Sequence, residues 1–292
     1  MSNPVLNEKV FNNWAPPQPG TEYRGSVSDG PSTPWRSAGE VMTIGGTISA
    51  TATLLALLLA SATVGWLATG APAVAADGSI SYGMPGLAIL GVIVGIAAAF
   101  AIAFRPQLAR IVGPIYALAQ GFAVGSISRV YEEFYDGIVL QAAGVTIAVF
   151  AVMLSLYRSG AIKVTDRFRR TIVMATIGVM VFYGISLLIS LFGGSVSFIS
   201  SPSLFGIGFS IFVAGLAAMN LALDFDFIER GTAEGLPRHF EWFAAFGMLV
   251  TIVWLYLEIL RLLAKLRERG PARRVRALRR RRGARPARGS PA

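Results

Sequence analysis

Between Thr171 and Leu223 the chain carries no charged residue. The run is more than twice the ~20 residues that cross a bilayer as a helix, and Gly193, Gly194, Ser200, Ser201 and Pro202 mark the turn that divides it. It therefore reads as two membrane spans joined by a short loop. Apolar segments of similar length recur, giving the series 41–69, 86–104, 111–128, 138–157, 171–192, 204–224 and 240–264. With 54% hydrophobic residues, 14% charged residues and a mean hydropathy of +0.59, the chain is too apolar for a soluble domain of 292 residues. The expectation is an all-α integral membrane protein, with a seven-transmembrane-helix bundle in residues 41–266.

The flanks are different material. Residues 1–40 hold six prolines and four glycines among Ser, Asn and scattered charges, with no apolar run, and read as a disordered leader. Residues 267–292 read as a basic disordered tail. From Lys265 onward twelve Lys and Arg face a single acid, Glu268, so the formal net charge of +10 belongs to the tail alone. Beside a membrane helix such a tail suits anionic lipid head groups better than nucleic acid, although its composition fits both.

Charge also orients the spans, because short cytoplasmic loops are enriched in Lys and Arg. The connection holding Arg105 and Arg110 and the one from Arg158 to Arg170 are basic, whereas residues 70–85, 129–137 and 193–203 are acidic or uncharged. The amino terminus is then cytoplasmic. Seven complete crossings put the tail outside, against the same rule, so either the tail is translocated or the last helix does not fully cross. Gly91 with Gly95 and Gly121 with Gly125 have the spacing that lets membrane helices approach closely.

Several functions are excluded by composition. There is no cysteine, so disulfides, iron–sulfur clusters and thiol nucleophiles are ruled out, and a single histidine, His239, removes the usual zinc spacings. No nucleotide-binding glycine motif and no nucleophile with a matching base point to an enzyme or to an organic cofactor. A retinal protein would need a lysine in mid-span of the last helix, and Lys265 comes too late.

What remains is a set of carboxylates at or within apolar segments, where a charge at the bilayer centre costs at least ~2.5 kcal/mol. Asp224 and Asp226 close the sixth segment, Glu241 opens the seventh and Glu258 lies inside it. Projected at helical spacing, Gly247, Thr251, Trp254, Glu258, Arg261 and Lys265 fall on one stripe, as suits a helix enclosed by others. Glu258 is either part of a site or an intrahelical partner of Arg261 or Lys265 that fixes packing. Carboxylates sharing a poorly hydrated site favour the protonated form and so sense protons. With carbonyls and water they also suit Ca²⁺. Arg105, at the inner end of the second helix, would pair with these acids in a closed state or serve only to set topology.

Several phrases taken together resemble the Bax inhibitor-1/YccA family, particularly its actinobacterial-type members. They are NPVLNEKVF in the leader, PIYALAQGFAVGSIS in the third helix, GIVLQAAGVT opening the fourth, then LDFDFIERG and EWFAAFGMLVTIVWLYLEILRLL. The resemblance implies a bundle with the last helix enclosed by the other six, and an acidic pair from the sixth and seventh helices acting as a pH-sensitive latch on a calcium leak. Motif matching places that pair, and the calcium pathway, at Asp224 and Glu258. Helical rise argues instead for Asp224 with Glu241, because a turn near Gly231–Pro237 leaves Asp224 and Glu258 mismatched by ~15 Å. Both pairings stand open on the sequence, with Asp226 and Arg105 beside them. The family also implies a second kind of function, a non-conducting regulator of membrane proteases or stress-response complexes that binds through leader and tail.

Overall fold

The computed structural model describes residues 41–70, 73–74, 80–81, 86–192 and 203–283. The leader, residues 1–40, lies outside them, as do residues 284–292. Among the described residues seven helices are long and apolar enough to cross a membrane. They are α1 (Ile44–Ala68), α2 (Gly86–Phe104), α3 (Ala109–Phe134), α4 (Ile138–Arg158), α5 (Asp166–Leu191), α6 (Leu204–Ala233) and α7 (His239–Gly283). A 3₁₀ turn, Pro106–Leu108, precedes α3. In the α1–α2 connection β1 (Ala73–Val74) pairs antiparallel with β2 (Ile80–Ser81), Ala73 opposite Ser81.

Local chemistry sets the helix ends. Thr43, Thr165 and Ser203 cap α1, α5 and α6, each side-chain oxygen accepting from the backbone N–H three residues on. Gly137 (φ 73°) and Gly235 (φ 67°) take the left-handed conformation in the turns before α4 and α7. Several hydroxyls inside the spans are spent on their own helix: Thr51 donates to Thr47 O at 2.8 Å and Thr146 to Ala142 O at 2.7 Å. That is how these polar residues enter an apolar segment without an unmet hydrogen bond.

With lipid as apolar as leucine, helices associate by close packing rather than by a hydrophobic drive. The expected glycines make that contact. A Cβ on Gly121 or Gly125 of α3 would strike the backbone of α1 at Leu58 and Ala62, and one on Gly91 of α2 would stand 2.5 Å from Ala119 O of α3. Ser61 of α1 adds a hydrogen bond to Leu118 O at 2.5 Å.

The last helix fills the middle. One face of α7, with Ala245, Phe246, Leu249 and Val253, packs on α1, α2 and α3, and Tyr116 meets Phe246 edge-on at 4.9 Å. Another face, with Met248, Leu255, Ile259 and Leu260, packs on α4 and α6, while Trp254 joins a third cluster with Val179 of α5 and Val213 of α6. By contrast α5 turns Met174, Ile177, Val181, Ile185 and Leu188 outward, as lipid-facing positions require.

Two boundaries differ from the sequence expectation. Helix α6 continues past Asp224 to Ala233, because Asp226, Glu229 and Arg230 are paired rather than placed in a loop. Helix α7 continues to Gly283 instead of giving way to a disordered tail at 267; the segment is rich in Arg, Ala and Leu, all good helix formers. At the start of α7, Leu236 O accepts from Met42 N at 2.7 Å. At the far end Arg267 donates to Asp136 O at 2.7 Å and to Gln141 Oε1 at 3.0 Å. The helix therefore runs from one end of the bundle to the other, and the tail leaves on the side of the α3–α4 turn.

Candidate functional site

The four acids do not form one cluster. Each sits at its own level of the bundle with its own partners, and those partners decide what each can do.

Glu258 is the most enclosed, 1% exposed on α7. Its Oε1 accepts from Arg261 Nη1 at 2.5 Å and from Tyr183 Oη of α5 at 2.9 Å, and Arg261 Nη1 also donates to Tyr183 Oη at 3.0 Å. The Arg261 guanidinium lies over the Tyr183 ring, 5.3 Å from its centroid. Tyr131 of α3 reaches the same guanidinium. Of the two intrahelical partners the sequence offers, Arg261 is the one used. Lys265, equally buried, donates instead to Gly206 O at 3.0 Å and Ser210 Oγ at 2.8 Å on α6. Glu258 Oε2 is sealed from solvent and has no hydrogen-bond partner among the described residues. The group is a lock of α7 onto α5, of the kind that is costly to break from one side.

Asp226 is held by two arginines. Arg169 Nη2 of α5 approaches Oδ2 at 2.5 Å and Arg230 Nε, one turn on, approaches Oδ1 at 3.0 Å. Arg230 also donates to Val164 O at 3.2 Å, tying the α4–α5 connection to α6. Glu241, in the first turn of α7, accepts at Oε1 from Thr43 N at 3.0 Å and Thr43 Oγ1 at 2.8 Å, with Arg238 Nε 3.6 Å from Oε2. A carboxylate there answers the positive end of the helix and clips α7 to the start of α1.

Asp224 is different. Its Oδ2 is shut away from solvent and meets no hydrogen-bond partner among the described residues. Across from it α7 presents Gly247, where a Cβ would lie 3.7 Å from Oδ1, and Thr251, whose hydroxyl faces the carboxyl and donates to Gly247 O at 3.1 Å. Neither expected pairing is made. Glu258 lies seven residues beyond Thr251 and Glu241 six before Gly247, each about 10 Å away along the axis at the rise of a helix. Arg105 makes no ion pair with another described residue; the arginines that meet the acids are Arg169, Arg230, Arg238 and Arg261.

A family model described as Bax inhibitor 1 like matches residues 3–268. The chain belongs to the Bax inhibitor-1 family. No curated protein matches it. The Bax inhibitor-1 match covers six spans in full and α7 as far as Glu268. Membership in this family of membrane channels and regulators, with seven apolar helices, makes the chain an integral multi-pass membrane protein in contact with the bilayer.

Within this Bax inhibitor-1 bundle the partners that sequence reading missed are Tyr183, Tyr131 and Arg169. Tyr183 and Arg169 come from α5 and Tyr131 from α3; the tyrosines had no mark in the sequence beyond being polar in an apolar segment, and Arg169 stood out only as one of the charges of a basic connection. Arg230 and Arg238, four and three residues from their acids, were within reach of helical spacing.

Proposed function

We propose that the chain is a pH-sensitive ion leak of the cell membrane, chiefly for calcium, gated by the protonation state of Asp224. The observation that carries this reading is the unpartnered Oδ2 of Asp224, enclosed between α6 and the central helix opposite a glycine. A neutral carboxyl and a carboxylate demand different surroundings: the charged form needs water, donors or a cation, and the present packing offers it Thr251 alone. Ionisation is thereby coupled to the spacing of α6 and α7, which is what a gate requires. Calcium, a hard cation, would be drawn to a carboxylate with carbonyls and admitted water. The Glu258–Arg261–Tyr183 lock would hold the outer half of α7 in place as the inner half loosens. On the loop charges, the amino terminus is cytoplasmic.

The test is calcium flux through purified protein in liposomes across mildly acidic to neutral pH. Wild type should show a pH-dependent leak and Asp224→Asn, which keeps the shape of a protonated carboxyl, should fix the leak in one state. Absence of flux at every pH would sink the reading.

A second reading has an observation of its own. Asp226, Glu241 and Glu258 are already met by arginines and hydroxyls, and among the described residues no three acids or histidines stand together as a bound metal would need. That favours a non-conducting regulator of membrane proteases or stress-response partners, binding through leader and tail, with the basic tail also resting on anionic lipid. A silent liposome assay with a protein that still captures a membrane protease would select it.

A further inference from the structure

Where α1, α3 and α7 begin, the surface of the bundle is indented by a half-open cavity of about 270 Å³ whose lining includes Ser49, Arg110, Arg238, His239, Glu241 and Trp242, with Ser49, Arg110 and Arg238 exposed. Two of these are arginines at the starts of helices: Arg110 lies in the first turn of α3, and Arg238 immediately precedes α7. A cation is disfavoured there by the helix dipole, so the dipole explains neither arginine. The only acid on the lining is Glu241, and its Oε1 is taken by the Thr43 N–H and hydroxyl, leaving Oε2 to Arg238. Among the described residues Arg110 has no carboxylate partner. The cavity therefore presents more positive charge than its own acid answers.

Size and setting narrow the ligand. Pockets for drug-sized molecules run to roughly 300–1,000 Å³, so this one suits a single small group rather than a nucleotide. Guanidinium groups match the oxygens of phosphate in paired hydrogen bonds. Beside the cavity, α1 and α3 expose Ile44, Ile48, Ile111 and Ile115, positions that face acyl chains in a membrane protein. Trp242 adds an aromatic ring of the kind found at the level of the head groups. We propose that this cavity binds an anionic phosphoryl group, presented by a phospholipid head group at the membrane surface.

The test is native mass spectrometry of the full chain from detergent containing equal phosphatidylglycerol and phosphatidylcholine. Wild type should retain phosphatidylglycerol in preference. The double variant Arg110→Gln with Arg238→Gln should lose about tenfold of that retention, the size of one charge-assisted hydrogen bond. Ser49→Trp, which fills the cavity from an exposed position without altering charge, should lose it as well, and it remains informative if the double variant does not fold. Because the tail is unchanged in every variant, its own lipid binding cancels. Wild-type retention in both variants, or in Ser49→Trp alone, would overturn the proposal. Inorganic phosphate supplies the second arm: if it raises the melting temperature of wild type but not of the variants, and phosphatidylglycerol shows no preference, the phosphoryl site stands and its source is the solution.

Discussion

Asp224 and Asp226 are two residues apart on one helix and meet opposite fates. A step of two residues turns an α-helix by about 200°, so the pair face different neighbours. Asp226 looks toward the end of α5 and finds Arg169 and Arg230, both partly exposed, in an arrangement any solvent-edge acid could share. Asp224 looks into the contact with α7 and finds a glycine and a threonine, with its Oδ2 shut away from solvent. The lesson is that a charge near a membrane helix end says little until its azimuth is known. One of these aspartates holds the fold, and the other is held in place by it.

Substitutions can break that contrast, and the largest effect should come from outside the pair. Glu258→Gln takes the charge from the fully buried member of its pair and leaves Arg261, whose side chain is 32% exposed, without its counter-charge; removing one side of a buried pair costs about 3 kcal/mol, and thermal unfolding in detergent should show a clear fall in Tm. Asp226→Asn strips two arginines of their acid, but both are partly exposed and can turn to water. The cost should be nearer 2 kcal/mol, with a coupling to Arg230→Gln visible in a double-mutant cycle. Asp224→Asn removes no ion pair, so stability should stay within about 1 kcal/mol of wild type while the pH dependence of any leak disappears. A fall in Tm as large as for Asp226→Asn would show that Asp224 is structural and erase the contrast. Gly247→Ala should cost no stability, since the added methyl makes ordinary contact with Asp224 Oδ1 and helix propensity favours it by up to roughly 1 kcal/mol. A leak reduced by that methyl would sharpen the case that the contact between Asp224 and α7 is used.

The spans were legible because hydropathy is a property of the segment itself: all seven expected segments lie on the seven helices, and the glycines expected to bring α2 and α3 against a neighbour do so. The end of α6 was not, because Asp224, Asp226, Glu229 and Arg230 read as a polar boundary when they are the start of a paired helical extension. Among the acids, legibility followed distance along the chain. Arg261 for Glu258 was in view at helical spacing. Arg169 for Asp226 and Tyr183 for Glu258, 57 and 75 residues away, depend on which helices become neighbours. The level of Asp224 against Gly247 depends on the length of the α6–α7 turn, which no periodicity sets.

The enclosed position of α7 also has a consequence for biosynthesis. A chain is made from its amino terminus, so of the seven helices the one that supplies the centre of this bundle is the last to leave the ribosome. Until then Leu54, Ala98, Tyr116 and Leu221, which pack in its clusters, have no α7 to rest on. The six earlier helices must wait in the membrane as an incomplete ring, and the step that adds Glu258, Arg261 and Lys265 is at once the final insertion and the formation of the core. A nascent chain halted before residue 239 should accordingly be the species that membrane quality control recognises.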